Sequence, residues 1–314
     1  MTNFMFSVNA TIPVFLVILI GYFLKQQGML SEKFGKILNQ FNFKVTLPLL
    51  LVSDIASVEI QKVFDGRYIL FCMGVTTVSF FSIWAIARCV LKKEITGAFV
   101  QASFRGSAAI LGIAFIKNMY GTSGMAPLMI IGAVPLYNIY SIIVLTFGAT
   151  NKKKAGLGDA FKNIIKNPII IAIMLGLVLS AFHLYEPMPF IIKKTVSYFA
   201  DMASPLALIG IGIGFKGKEA LNKMKPTVVA SFIKLILLPA LFLPIAVWMG
   251  FQDQKLIALL IMLGSPTTAS CYVMAQSMDN DEILTSSIIV LTTLFSSVSL
   301  TFWIYLLKCF ALIQ

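Results

Sequence analysis

Apolar residues run through this chain in long blocks separated by short polar stretches. The blocks are about 20 residues long, the length of an α-helix that crosses the hydrocarbon core of a bilayer. That length rule draws about ten of them, over residues 5–25, 34–56, 67–91, 97–119, 125–148, 167–185, 190–214, 226–250, 255–278 and 284–310. The second and seventh blocks carry Lys44 and Asp201 inside an otherwise apolar run, and the fourth and ninth are rich in Gly, Ser and Thr. Met1 to Asn9 contain no Lys or Arg and no small-residue cleavage pattern precedes Lys25, so the first block reads as a retained helix and not as a signal peptide. The pattern predicts an all-α polytopic membrane protein with ten transmembrane helices.

A basic, glycine-containing stretch over 149–166 divides the blocks five and five. The two halves resemble one another weakly. Pro13 and Gly21 in the first helix match Pro168 and Gly176 in the sixth at equal separation. Lys44, Pro48, Leu49 and Leu51 in the second match Asp201, Pro205, Leu206 and Leu208 in the seventh at a constant offset. An odd number of helices per copy inserts the second copy upside down, and such inverted repeats are characteristic of secondary transporters. The expected organisation is a first five-helix repeat over 1–148, a cytoplasmic linker over 149–166 and a second repeat over 167–314.

Composition supports lipid as the main solvent: 58% of residues are hydrophobic and 12% charged, against about 25% charged in soluble domains. The net charge of +12 comes from basic residues gathered in short inter-block clusters, a pattern of cytoplasmic loops that argues against nucleic acid as a partner. With the N-terminus outside, fifteen Lys and Arg fall in cytoplasmic loops and seven outside, so both termini are expected on the outer face of the cell membrane. The acidic loop with Asp279, Asp281 and Glu282 dissents, although acids weigh little in this rule. Cys72, Cys89, Cys271 and Cys309 lie in or beside apolar blocks without metal or disulfide spacing, and the single His183 reads as interfacial.

Two blocks carry the candidate chemistry. The ninth reads Gly264-Ser265-Pro266-Thr267-Thr268-Ala269-Ser270. A mid-span proline removes a backbone donor and clashes with the preceding turn, leaving either a kinked packing helix or a true interruption whose freed groups are met by hydroxyls and ligand. The fourth reads Phe104-Arg105-Gly106-Ser107-Ala108-Ala109-Ile110-Leu111-Gly112. It is either a small-residue packing seam or a second interrupted helix crossing the first. Interrupted segments at corresponding places in two halves mark a transport site, and the exposed N-terminus of a half-helix attracts anions. The candidate substrate-binding residues are Arg105, Gly106, Ser107, Ala108, Gly112, Asn138, Ser265, Pro266, Thr267, Thr268 and Ser270. Arg105 can clamp a carboxylate or snorkel to headgroups. Lys44 and Asp201 form either a structural charge pair or a proton-coupling site. Lys234 is a third such buried-charge candidate or a lysine reaching an interface, and Asp54 reads as interfacial. Asn138 is a substrate contact or interhelical glue. No nucleotide-binding loop or hydrolase motif is present, so neither ATP-driven transport nor catalysis is expected.

The stretches Phe104–Ala114, Ser265–Ser270 and Phe43–Pro48 resemble signatures of the auxin efflux carrier family, which includes bacterial malate and malonate permeases and the plant PIN transporters. The similarity runs over essentially the whole chain, and the order of the motifs carries most of it. The resemblance implies ten helices in two inverted five-helix repeats, with helices four and nine crossing at the substrate site. It assigns helices one, two, six and seven to a scaffold, and implies elevator-type movement of an organic anion by a protein often dimeric. Family members commonly carry Asn in place of Ser107 and Ser270, and Pro in place of Ala114. The missing proline makes a break in helix four less expected than in helix nine. The functional expectation is a secondary transporter of a small organic anion: a carboxylate, a dicarboxylate such as malate, or an auxin-like aromatic acid. It has no cofactor, H⁺ or Na⁺ as coupling ion, and membrane lipid and a second copy as partners. A channel or a membrane receptor on the same fold is the alternative.

Overall fold

The computed structural model describes residues 2–57, 65–108, 116, 119–120, 125–149, 162 and 164–313, and of residues 2–7, 10 and 11 the backbone alone. Regular structure among them is helical, with no strand. Chain order runs α1 (Thr2–Gln26), then α2 (Glu32–Phe41), a π-helical turn (Asn42–Thr46) and α3 (Leu47–Ala56) as one continuous rod. Next come α4 (Gly66–Val90), α5 (Lys93–Phe104), α6 (Ala126–Gly148), α7 (Pro168–Ala181), α8 (Phe190–Gly214) and the short α9 (Gly217–Asn222). A second continuous rod follows, α10 (Met224–Phe232), a π-helical turn (Ile233–Leu237) and α11 (Leu238–Trp248). The chain closes with α12 (Gln254–Gly264), α13 (Ser270–Ser277) and α14 (Glu282–Cys309).

Local chemistry sets the ends of these helices. Ser31, Asp65, Asn167 and Asp281 cap α2, α4, α7 and α14, each side chain accepting a backbone N–H of the first turn. Both π turns have a proline behind them. Pro48 and Pro239 have no N–H, and their rings crowd the carbonyl four residues earlier, so the ladder widens. The Leu47 N–H reaches Asn42 O and the Leu238 N–H reaches Ile233 O, five residues back in each case.

Among the described residues, five rods are long and apolar enough to cross a membrane: Gly66–Val90, Ala126–Gly148, Phe190–Gly214, Met224–Trp248 and Glu282–Cys309. Their outer surfaces stay apolar. Leu70, Ile86 and Val90 on α4, Ile191 on α8 and Trp248 on α11 are each more than half exposed. Hydroxyls and amides are turned inward, the polarity expected of a protein dissolved in lipid.

Two groups of helices form. α1 packs along α8, and α3 packs on α7 and α8. Gly21 lies so close to the Ile209 backbone that a Cβ there would come within 2.7 Å of its carbonyl oxygen, which brings α1 and α8 nearly into backbone contact. The second group sets α4, α5 and α6 against one another and α10, α12 and α13 against α14, with α11 packed on α12. α14 also packs on α1, tying the groups together.

Candidate functional site

The fourth block stops being helical at Phe104. Arg105 is extended (φ −88°, ψ 120°), although no proline is near. The ninth block stops at Gly264, with Ser265 extended (φ −68°, ψ 156°), and resumes as α13 at Ser270. The two interruptions lie against each other: Gly106 and Thr267 form an antiparallel bridge, and the Ser107 N–H donates to the Pro266 carbonyl at 2.9 Å. The missing proline at Ala114 therefore did not keep the fourth block whole. Two short extended segments satisfy one another across the crossing, so neither interruption leaves its backbone bare. Gly112 and Ala114 lie outside the described residues.

The helix ends at the crossing leave carbonyls that need donors. Thr267 Oγ1 donates to Ala102 O at 2.7 Å, and Tyr137 OH donates to Met262 O at 2.9 Å. Lys234, fully buried at the second π turn, adds a donor to both ends. Its ammonium donates to Leu263 O at 2.8 Å, Met262 O at 3.0 Å and Phe104 O at 3.4 Å, touching both broken helices. Thr292 on α14 accepts the Thr267 N–H at 3.1 Å. Gly106 has no room for a side chain: a Cβ there would meet Ser265 Oγ at 2.5 Å and Lys234 Nζ at 2.7 Å.

In front of the crossing lies a cavity of about 60 Å³. Arg105, Gly106, Ser107 and Ala108 line it from the first interruption, Thr268 and Ser270 from the second, and Asn138 and Tyr137 from α6. Leu47, Leu50, Leu51 and Asp54 of α3 and Ala203 and Ser204 of α8 close the opposite wall, so the cavity lies between the two helix groups. Arg105 is 6% exposed, which excludes snorkelling. Its Nη1 donates to Met274 Sδ and its Nη2 to Ser270 Oγ, both at 2.8 Å. Among the described residues no carboxylate lies within ion-pairing distance of it. The N-terminus of α13 opens beside it, adding positive potential. Asn138 is 1% exposed; its Nδ2 donates to Val134 O at 2.9 Å, while its buried Oδ1 has no partner.

Most of the expected substrate residues thus gather at one place, with Ser265, Pro266 and Thr267 shaping the crossing behind the cavity. Three readings are corrected. Lys44 and Asp201 are both exposed, no ion pair joins them, and Asp201 accepts instead from Ser197 Oγ at 3.1 Å. Lys44 faces a polar cleft shared with Lys36, Gln276, Asp279 and Glu282. Lys234 reaches no interface and sits behind the crossing. Asp54, in the last turn of α3, is half-buried and forms part of the cavity wall. Helical spacing held a signal for Asp54, since Leu47, Leu50, Leu51 and Asp54 recur along one face of α3. Lys234 had none beyond its depth in an apolar block, because its three acceptors come from two distant segments.

The sequence profile described as membrane transport protein matches residues 6–304. An uncharacterized transporter of Methanocaldococcus jannaschii is 23% identical over 311 residues, 96% of this chain and 99% of that protein. A Rhizobium meliloti protein named "Putative malonate transporter" is 26% identical over 316 residues, 96% of each. The uncharacterized transporter YfdV of Escherichia coli is 24% identical over 314 residues, 96% of this chain and 97% of YfdV. With helices that are apolar outside and polar inside, and two interrupted segments meeting around a buried cation, this chain belongs to the membrane transport protein family, the auxin efflux carrier family, and is a membrane transporter.

Proposed function

We propose that the protein is a secondary transporter of a small organic anion, a carboxylate or dicarboxylate, held at the crossing of the two interrupted helices. One observation carries this reading: Arg105 is a buried cation on a cavity wall with only neutral partners among the described residues. A charge taken out of water without a counter-charge is costly, and an anionic ligand supplies that counter-charge. The start of α13 and Asn138 complete an anion site, the amide meeting a carboxylate or a hydroxyl beside it. The relative named for malonate makes a dicarboxylate the first substrate to try.

The cavity, at about 60 Å³, is well below the roughly 300 Å³ at which small-molecule pockets begin. Substrate entry therefore requires the helix groups to part, which supports alternating access by an elevator-type movement of the crossing against α1, α3, α7 and α8. In this reading ten helices form two inverted repeats, 1–148 and 167–314, joined by a cytoplasmic linker, with both termini outside. The antiparallel meeting of Gly106 with Thr267 is what two inverted copies produce at their shared axis.

The test is uptake of radiolabelled malonate, malate and indole-3-acetate into proteoliposomes under H⁺, Na⁺ and voltage gradients. At least one is taken up and shows counterflow. Arg105→Gln lowers that uptake by about 100-fold, the loss of a bidentate charge-assisted contact. Absence of uptake of all three under every gradient refutes the proposal.

A further inference from the structure

Among the described residues, three titratable side chains line the cavity: Arg105, Tyr137 and Asp54. Arg105 and Tyr137 have hydrogen-bond partners. No bond or ion pair holds the Asp54 carboxyl among the described residues. Among the described residues no ion pair joins a cation to it from the elements packed around α3, and on α8 Lys193 donates to Glu186 O while Lys194 lies over the Tyr198 ring. α7 contains no titratable side chain over Pro168–Ala181, and on α8 the residues facing the cavity are Ala203 and Ser204, with Asp201 exposed and bonded to Ser197. Lys44, one turn before α3, is exposed toward the other cleft. Lys234 is held behind the crossing by three carbonyls, and His183 lies past the end of α7, where no cavity residue is found.

From this geometry we infer that Asp54 is the proton-coupling carboxyl of the transporter, taking up one proton as the substrate anion binds at Arg105 and releasing it when the anion leaves. The inference rests on the anion-site reading above. With the cavity empty, Asp54 lines the wall opposite Arg105 without pairing with it. An entering carboxylate pairs with Arg105 and places a second negative charge in the same small space. Like charges in a low-dielectric site disfavour ionisation of one of them, so the carboxylate of Asp54 becomes the acid by adding a proton from solvent. Arg105 stays protonated throughout. The balance is one proton in per anion in, so a monoanion moves without net change in cavity charge. A coupling metal cation is redundant at the crossing, because the helix-end carbonyls that would hold one already accept from the Lys234 ammonium.

The sign follows from linkage. Protonation favours binding, so affinity falls as pH rises, with Kd climbing by up to about tenfold per pH unit for one linked proton. The experiment is calorimetric titration of malonate into the purified full-length protein near pH 8, where malonate is a dianion, in buffers of different ionisation enthalpy. The wild type is expected to take up close to one proton per malonate. Asp54→Asn binds malonate more tightly at this pH, with no proton uptake and a Kd flat with pH, whereas Asp54→Glu keeps the uptake. Binding by the wild type without proton uptake overturns the inference and leaves the anion site standing, as does uptake unchanged in Asp54→Asn. Failure of the wild type to bind malonate, malate or indole-3-acetate overturns the anion site, and this inference with it.

Discussion

Lys44 and Lys234 begin from the same local setting. Each sits in a π-helical turn shortly before a proline, in a rod that an apolar block makes helical. The first side chain is exposed on a polar cleft, and the second is fully buried and bonded to three carbonyls. The backbone irregularity is therefore not the functional feature. It frees a carbonyl and turns a side chain, and what the neighbouring elements present decides the rest. Opposite Lys44 stand side chains with their own solvent access. Opposite Lys234 stand the ends of two broken helices, buried where the Leu263 and Phe104 carbonyls accept from its ammonium.

That contrast can be broken by mutation. Lys234→Met keeps the volume and removes the donor, leaving helix-end carbonyls buried and unsatisfied. A loss of about 3 kcal/mol or more is expected, read as a large fall in thermal midpoint in detergent together with loss of transport. Lys44→Met, at an exposed site, should stay within about 0.5 kcal/mol. Equal effects of the two substitutions would mean that the carbonyl contacts of Lys234 contribute little. Gly106→Ala comes next, because its methyl must displace Ser265 and the Lys234 ammonium from the crossing. Overpacking of this kind costs about 1–3 kcal/mol, and here it also separates the two interruptions, so uptake should fall further than stability does. The smallest effect belongs to the rim. Asp65, which caps α4, accepts from Lys255 at the foot of α12 at 2.7 Å. That bond first, and the Tyr68 N–H second, hold its carboxyl below the usual carboxylate range. A lowered folded value means stability that is present above the ordinary carboxylate pKa and lost as pH falls through the depressed one. Thermal midpoints should therefore show a small acid-side drop that Asp65→Asn removes, worth up to about 1 kcal/mol for a surface pair.

The helical rods were legible because they depend on local quantities. Block length in apolar residues, caps such as Asp65 and Asp281, and prolines that widen a turn act within a few residues of themselves. The interruption at Ser265–Ser270 was legible for the same reason, since Pro266 and its small hydroxyl neighbours disfavour helix wherever they stand. The interruption at Arg105 was legible only as half of a pair. Nothing local stops α5 there, and the extended segment is held by hydrogen bonds to the Pro266 stretch more than 150 residues away.

By itself the sequence determined the solvent of this protein, its helical class and the weak point of the helix around Pro266, because hydrophobic length and backbone propensity are properties of short stretches. It also singled out Arg105, whose neighbours along the chain already marked the site. Which charges matter was decided only by the tertiary structure. Lys44 and Asp201 matched in position along the chain yet ended on exposed surface. Asp54 looked ordinary and Lys234 was one buried-charge candidate among three, yet Lys234 joins two broken helices and Asp54 closes the cavity. The value of a charge in a membrane protein depends on the acceptors and counter-charges that packing brings within hydrogen-bonding range, and those come from segments far away in the chain.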